Sequence, residues 1–409
     1  MSSKIDFDYQ SKINNYLSSK PDGFLKNLKV CSLKSELFNL AVSYAGRKID
    51  VVFKESDYVR LGKVVISALK SACADYTVMI VEGSKSHKNA KIDYDGSVVI
   101  AVGGYELLSL ASYYASQEKI PFYAVISEPC LDFLLSGKVR CNITGIVNEY
   151  KITPPRSVIF DFDVVSLASP STLSEGYLKI ASQLLSLVDY KFRVLITGET
   201  FNQNSYVQIR NALSLIASIS KFSNPKDVLV YASFVMAIEN EFCTILRNNA
   251  VDLFEDALSI YAPKLSKGEI IKVALTRLVE LYCAYFANDF SKVLRAPNYN
   301  KDIETFERQT GVDCTFLYDN LKVPSTKRLS LISEVVKKTK DGFISDLKST
   351  LDLIPQIIVN YNSLLKTSKG EESLSFEQKL NALRLAPYLS KTQSVLTVIR
   401  DLGLIELIK

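Results

Sequence analysis

The chain has 409 residues, 47% of them hydrophobic and 23% charged, a composition that supports roughly two to three packed domains and argues against disorder. Its formal charge of +5 comes from Lys and Arg spread along the whole sequence, without the basic block or motif that a nucleic-acid partner would call for. No apolar run reaches the roughly 18 residues of a membrane span and no basic, apolar, small-residue leader opens the chain, so a cytoplasmic protein with no membrane partner is expected.

Met1–Lys20 mixes polar, apolar and charged residues. From there β-rich runs alternate with helical stretches: Lys48–Phe53, a helix near Asp57–Ala72, Tyr76–Val81, Val98–Val102, a helix near Tyr105–Gln117, and Phe122–Ser127. Such alternation predicts a parallel, Rossmann-like sheet covered by helices. Lys138–Ile143 and Ser157–Phe160 add two further strands, with Thr144, Gly145 and Asn148 as turn signals, and the sheet ends near Asp163. After Ser171 the apolar residues recur at three- and four-residue spacing, as in Ala212, Leu215, Ile216 and Ile219, or Ile271, Ala274, Leu275 and Leu278. That period predicts an all-helical bundle. Pro225, Pro263, Pro324, Pro355 and Pro387 mark places where helices start, stop or bend, and Asn298–Lys301 and Gly370–Ser373 read as loops. The expected division is an α/β domain over 1–165 and a helical domain over 166–409.

Seven cysteines (Cys31, Cys73, Cys130, Cys141, Cys243, Cys283 and Cys314) are scattered without a C-x-x-C pair and read as buried free thiols of a reducing compartment. The single histidine, His87, lies among lysines in the polar stretch Glu82–Asn89 and reads as an exposed loop residue. With imidazole the usual ligand for zinc and iron and the commonest general base near neutral pH, its scarcity weighs against both a metal centre and a Ser–His–Asp or Cys–His device. Asp161 and Asp163 sit on one face of a strand end, either as a paired-carboxylate site or, more simply, as structural groups at the domain junction.

The run Val98–Glu106 is a buried strand that turns through Gly103-Gly104 into a helix, an arrangement whose backbone N–H groups can face a phosphate. The order of motifs around it resembles the sn-glycerol-1-phosphate dehydrogenase branch of the iron-containing alcohol dehydrogenase and dehydroquinate synthase-like superfamily. The family's strand leads into G-G-G-S-x-x-D-x-x-K, and the similar stretch here is Gly103–Ser112. Its I-P-x-x-x-x-P-T segment, followed by an Asp, is similar to Ile120-Pro121 through Ser127, with Asp132 in the place of that Asp. The segment joining the two domains is matched by Pro155, Val158, Ile159, Asp161, Asp163, Val165, Ala168, Pro170 and Leu173, and the closing helix resembles Ala382–Ala386 through Leu404.

The resemblance implies the dehydroquinate synthase-like fold, with a cleft between the domains, and points to Gly103, Gly104, Ser127 and Asp132 as the residues left for NAD(P). It also exposes departures. The family's third glycine corresponds to Tyr105 and its Ser to Glu106, whose charge repels phosphate, while its Asp and Lys correspond to Ser109 and Ser112. The metal-binding Asp corresponds to Lys179, one metal-binding His finds no counterpart in Tyr231–Leu246, and the other, in H-G-E-x-V, corresponds to Lys267 of Lys267-Gly268-Glu269. Two ammonium groups repel a divalent ion, so no metal is expected. Lys179 and Lys267 either orient an anionic or carbonyl ligand or form ion pairs with neighbouring carboxylates. The expectation is a metal-free, catalytically degenerate relative with a binding or regulatory role, for which NAD(P) is a doubtful cofactor. A small phosphorylated or polyol ligand and a homo- or hetero-oligomer fit that role. The alternative is an active NAD(P)-dependent oxidoreductase on dihydroxyacetone phosphate or a related ketone.

Overall fold

In the computed structural model, which describes residues 4–21, 23, 25–81, 91–143, 145–243, 245, 246, 249–287, 297–321, 323–365 and 374–405, the alternation in the front of the chain becomes a six-stranded parallel sheet. The elements that build it are α1 (Tyr9–Ser18), β1 (Leu28–Val30), α2 (Leu33–Ser43), β2 (Lys48–Lys54), α3 (Glu55–Ser71), β3 (Asp75–Val81), β4 (Val98–Gly103), α4 (Tyr105–Gln117) and β5 (Phe122–Ile126). A two-stranded hairpin of β6 (Lys138–Asn142) and β7 (Val147–Lys151) follows, then β8 (Ser157–Phe160) and α5 (Phe162–Ser166). Sheet order is β1-β8-β5-β4-β2-β3. Strand β4 and strand β8 are buried along their whole length and β2 at its five inner residues, as a sheet covered on both faces requires. On one of those faces Leu33 and Leu37 of α2 and Leu61, Val65 and Leu69 of α3 pack in one cluster with Val51, Phe53, Ile100 and Val102.

That order fixes where a ligand belongs. From β2 the sheet grows through β3 on one side and through β4, β5 and β8 on the other. The crevice outside the carboxyl ends of β2 and β4 is therefore the topological switch point, the usual ligand position in an open α/β sheet.

The expected Lys138–Ile143 strand does form, but it leaves the main sheet to pair antiparallel with β7, whose Asn148 is a strand residue and not a turn signal. Gly145 holds the intervening turn at a φ of +103°, a conformation favouring glycine. Asp161 is structural: its carboxylate accepts the Leu33 amide at 2.7 Å and the Asp163 and Val164 amides at 3.0 and 3.4 Å, capping α2 and α5 together. Asp163 accepts the Tyr9 hydroxyl at 3.3 Å, so the two carboxylates do not form an acid–base pair.

After α5 the described residues form helices: α6 (Pro170–Thr197), α7 (Gln203–Ala217), α8 (Pro225–Cys243), α9 (Ala250–Tyr261), α10 (Lys267–Ala287), α11 (Tyr299–Thr310), α12 (Phe316–Asn320), α13 (Thr326–Leu365), α14 (Phe376–Leu385) and α15 (Val395–Asp401). Pro225 opens α8 and Pro355 lies inside α13. Asn298, expected in a loop, caps α11, and residues 299–301 form its first turn. Gly370–Ser373, Thr144 and His87 lie outside the described residues.

The chain divides into two compact units, residues 1–176 with 218–242, and residues 177–217 with 243–409. A break at 165 would have given all of 166–409 to the helical part. Instead residues 218–242, most of them on α8, complete the core of the sheet unit: the Phe234 ring packs on Phe133 and Phe160, and the Tyr16 hydroxyl donates to Glu239 at 2.5 Å. No helix among the described residues is long and apolar enough to cross a membrane. All seven cysteines are free thiols, of which Cys130, Cys141 and Cys314 are buried. Cys73 is exposed and the other three are half-buried, against the expectation that all would be buried.

Candidate functional site

The sheet unit carries the first constellation at the switch point. Gly103 ends β4 and Gly104 caps α4 with φ −86° and ψ 179°, backbone angles open to any residue. What requires a glycine here is space. A Cβ on Gly104 would stand 1.5 Å from Oε1 and 2.1 Å from Cδ of Glu128, so the Glu128 carboxylate lies directly on the turn. Around it Lys54, Val81, Gly104, Glu106, Leu107 and Glu128 line a cavity of about 10 Å³, room for no more than about one water molecule.

The other residues expected at this site are placed as follows. Ser127 follows β5, and its amide donates to the Gly103 carbonyl at 3.1 Å, which joins the ends of β4 and β5. Its own carbonyl accepts from Arg60 at 2.7 Å, and its hydroxyl is fully buried with no partner among the described residues. Asp132 is 9% exposed and accepts the Leu134 amide at 2.6 Å, holding a turn in which Leu134 has a φ of +63°. Glu241 of α8 accepts the Phe133 amide at 3.0 Å and Asn240 donates to the Leu131 carbonyl at 3.0 Å, which fixes the same loop. Tyr105, in place of a third glycine, has its hydroxyl accept the Arg140 amide at 3.1 Å, and burial pushes its pKa above the ordinary range. Ser109 and Ser112 are buried within the packing of α4, where the Ser112 hydroxyl donates to the Ser109 carbonyl at 2.9 Å. Of the four residues assigned to NAD(P), the structure brings Gly103, Gly104 and Ser127 together and commits Ser127 and Asp132 to internal structure.

The second constellation belongs wholly to the helical unit. Lys179 on α6 extends its Nζ between two carboxylates of α9, reaching Asp252 Oδ1 at 2.7 Å and pairing with Glu255 Oε2 as well. The Lys179 side chain is 26% exposed and its partners 18% and 11%. Burial by itself draws the ammonium pKa down, but Asp252 and Glu255 outweigh burial and the opposing charge of nearby Lys267, holding Lys179 above the ordinary lysine range. Lys179 and Lys267 therefore share one electrostatic neighbourhood.

A polar seam continues from this cluster along α6. Asn249, the cap of α9, donates to Asp252 at 2.9 Å and to Gln183 at 3.2 Å, and Gln183 donates back to the Lys179 carbonyl at 3.0 Å. At its end Asp189, 4% exposed, accepts the first amide of α9 (Ala250, 2.9 Å), the first amide of α15 (Val395, 3.0 Å) and the Tyr282 hydroxyl at 2.8 Å. Burial raises the Asp189 carboxyl to about 6 against the lowering effect of those three donors. On the far flank Gly268 gives the Tyr361 hydroxyl room against the start of α10, where a Cβ would stand 2.1 Å from it.

These positions test the expected groups. Among the described residues no set of three His, Cys, Asp or Glu side chains is arranged to hold a metal ion. The two carboxylates beside Lys179 are already ion-paired with its ammonium, which a divalent cation would have to displace, so this donor set does not fit such a cation. Nor does the turn at Gly104 fit a pyrophosphate as it stands, because the Glu128 carboxylate fills the cradle, with Glu106 and Lys54 lining it. Sequence reasoning missed Glu128, Asp252 and Glu255. The last two form a carboxylate pair spaced i, i+3 on an amphipathic helix that nothing in the sequence ties to Lys179, and Tyr231–Leu246, where the resemblance puts a metal-binding histidine, is mostly α8 and belongs to the other unit.

No family profile matches the chain. The glycerol-1-phosphate dehydrogenase [NAD(P)+] of Thermoplasma volcanium is 23% identical over 194 residues, 45% of this chain and 55% of that protein. Its namesake from Thermoplasma acidophilum is 28% identical over 143 residues, 34% of this chain and 41% of that protein. The chain thus spans about half the length of these curated relatives. An iron-containing alcohol dehydrogenase of Thermotoga maritima superposes with a TM-score of 0.56 at 10% identity, covering 93% of this chain and 97% of that one, which shows the fold. The fold is therefore that of the iron-containing alcohol dehydrogenases, and in sequence the chain is similar, at low identity, to glycerol-1-phosphate dehydrogenases.

Proposed function

We propose that this chain is a catalytically silent relative of the NAD(P)-dependent glycerol-1-phosphate dehydrogenases, working as a binding or regulatory protein without a metal. The observation that carries the reading is the Lys179 ammonium held between Asp252 and Glu255 at the position where the resemblance puts a metal-binding Asp. A metal in such an enzyme polarises a carbonyl or steadies an alkoxide during hydride transfer. Here the positive charge is consumed by two carboxylates, and an ammonium so engaged has little field left to offer a substrate oxygen. Lys267, the second lysine at a metal-ligand position, adds repulsion against any cation that enters.

The test is metal analysis of the purified protein together with an assay of NAD(P)H consumption on dihydroxyacetone phosphate. The reading expects neither stoichiometric zinc or iron nor ketone-dependent turnover. Turnover that falls in Lys179→Ala and Lys267→Ala would establish the alternative, an oxidoreductase that uses lysine in place of a metal.

A further inference from the structure

We infer that Glu128 is the residue that closes the switch-point turn to polyphosphates, its own carboxylate taking the anion position at the start of α4. Three observations in the sheet unit carry this, none of which involves Lys179. The first is location: Gly104 follows β4 directly and caps a 13-residue helix, at the carboxyl edge where the sheet order reverses. The second is the Gly104 backbone, whose angles suit any residue, so that the missing side chain makes room for Glu128, whose Oε1 lies 1.5 Å from the Cβ position. In dinucleotide-binding turns the corresponding freedom serves the close approach of a pyrophosphate. The third is charge. A carboxylate near a helix N-terminus is favourable in itself, and although Lys54 lines the same cavity, a polyanion would have to displace the Glu128 carboxylate and lie beside that of Glu106.

Binding of inorganic pyrophosphate and of NADH to the full chain, followed by calorimetry and by NADH fluorescence, tests this in wild type, Glu128→Ala, Glu128→Gln and Glu128→Ala/Glu106→Ser. The expected order of affinity is double variant, then Glu128→Ala, then Glu128→Gln, then wild type, with at least about a tenfold gain for Glu128→Ala from loss of one close like charge. Should Glu128→Ala not fold, Glu128→Gln keeps the side-chain volume and still must bind pyrophosphate more tightly than wild type. The inference is overturned if folded variants bind no tighter than wild type, or if wild type already binds pyrophosphate as well as they do. The contact has its own check: Gly104→Ala lowers the Tm of wild type but not of Glu128→Ala, and an equal loss in both backgrounds would likewise overturn it.

Discussion

At the Gly104 turn a carboxylate from Glu128 occupies the place expected for an anion, and on α6 an ammonium from Lys179 lies between two carboxylates in the place expected for a cation. The two regions have no residue in common and belong to separate compact units. What they share is a physical constraint. A concave site built for a charged ligand leaves uncompensated dipoles or charges when the ligand is lost, and a side chain bearing the ligand's own sign relieves that cost. Glu128 sits against a turn beside a cavity, whereas Lys179 forms two ion pairs inside a polar seam that runs on to Asp189.

The comparison is tested most severely by Lys179→Ala. Removing the ammonium leaves Asp252 and Glu255 facing each other with little exposure, so unfolding in denaturant should show a loss of about 3–5 kcal/mol. A loss under about 1 kcal/mol would put the cluster on a par with a surface pair.

Next in size is the pH dependence of the seam. The Asp189 carboxyl, at about 6 when folded and near 4 when unfolded, takes up a proton more readily in the folded state. Its contribution to stability is complete below about pH 4 and is lost as pH rises through about 6, which amounts to about 3 kcal/mol over that window. Measured as unfolding free energy against pH, wild type should lose stability relative to Asp189→Asn between pH 4 and 7, and parallel curves would contradict the assignment.

Gly268→Ala should cost about 2 kcal/mol, since its Cβ must displace the buried Tyr361 hydroxyl. Adding Tyr361→Phe, which deletes the nearest atom, should recover part of that loss in a double-mutant cycle. As a control outside both regions, Lys138→Ala removes the exposed pair with Glu149 on the β6–β7 hairpin and should change stability by less than about 1 kcal/mol.

Much of the fold was legible because its signals are local. Val98–Val102, Tyr105–Gln117 and Ser157–Phe160 were found nearly to the residue, since a buried apolar run and a 3.6-residue stripe each declare themselves within one element. The three-residue edge strand β1 is too short to show alternation, and the departure of β6 from the main sheet depends on its pairing with β7, a long-range choice. Membership of residues 218–242 in the sheet unit was invisible for the same reason: Phe234 and Glu239 find their partners more than 70 residues away in sequence. Within the sites, Lys179 and Lys267 could be singled out because they carry the wrong charge for the positions where the resemblance puts metal ligands. Their neighbours could not, because nothing in the sequence between 180 and 250 ties Asp252 and Glu255 to Lys179. Glu128 escaped although it directly follows Ser127, since only the three-dimensional approach of its carboxylate to Gly104 reveals what it does.

Whether the Lys179 ammonium stands where a cation would otherwise bind is decided by titrating zinc into wild type and Lys179→Asp. That substitution removes the ammonium and adds a third carboxylate beside Asp252 and Glu255. The variant is expected to bind one ion saturably, with a rise in Tm, and wild type none. Saturable binding of one ion by wild type, as tight as or tighter than by Lys179→Asp, would contradict it.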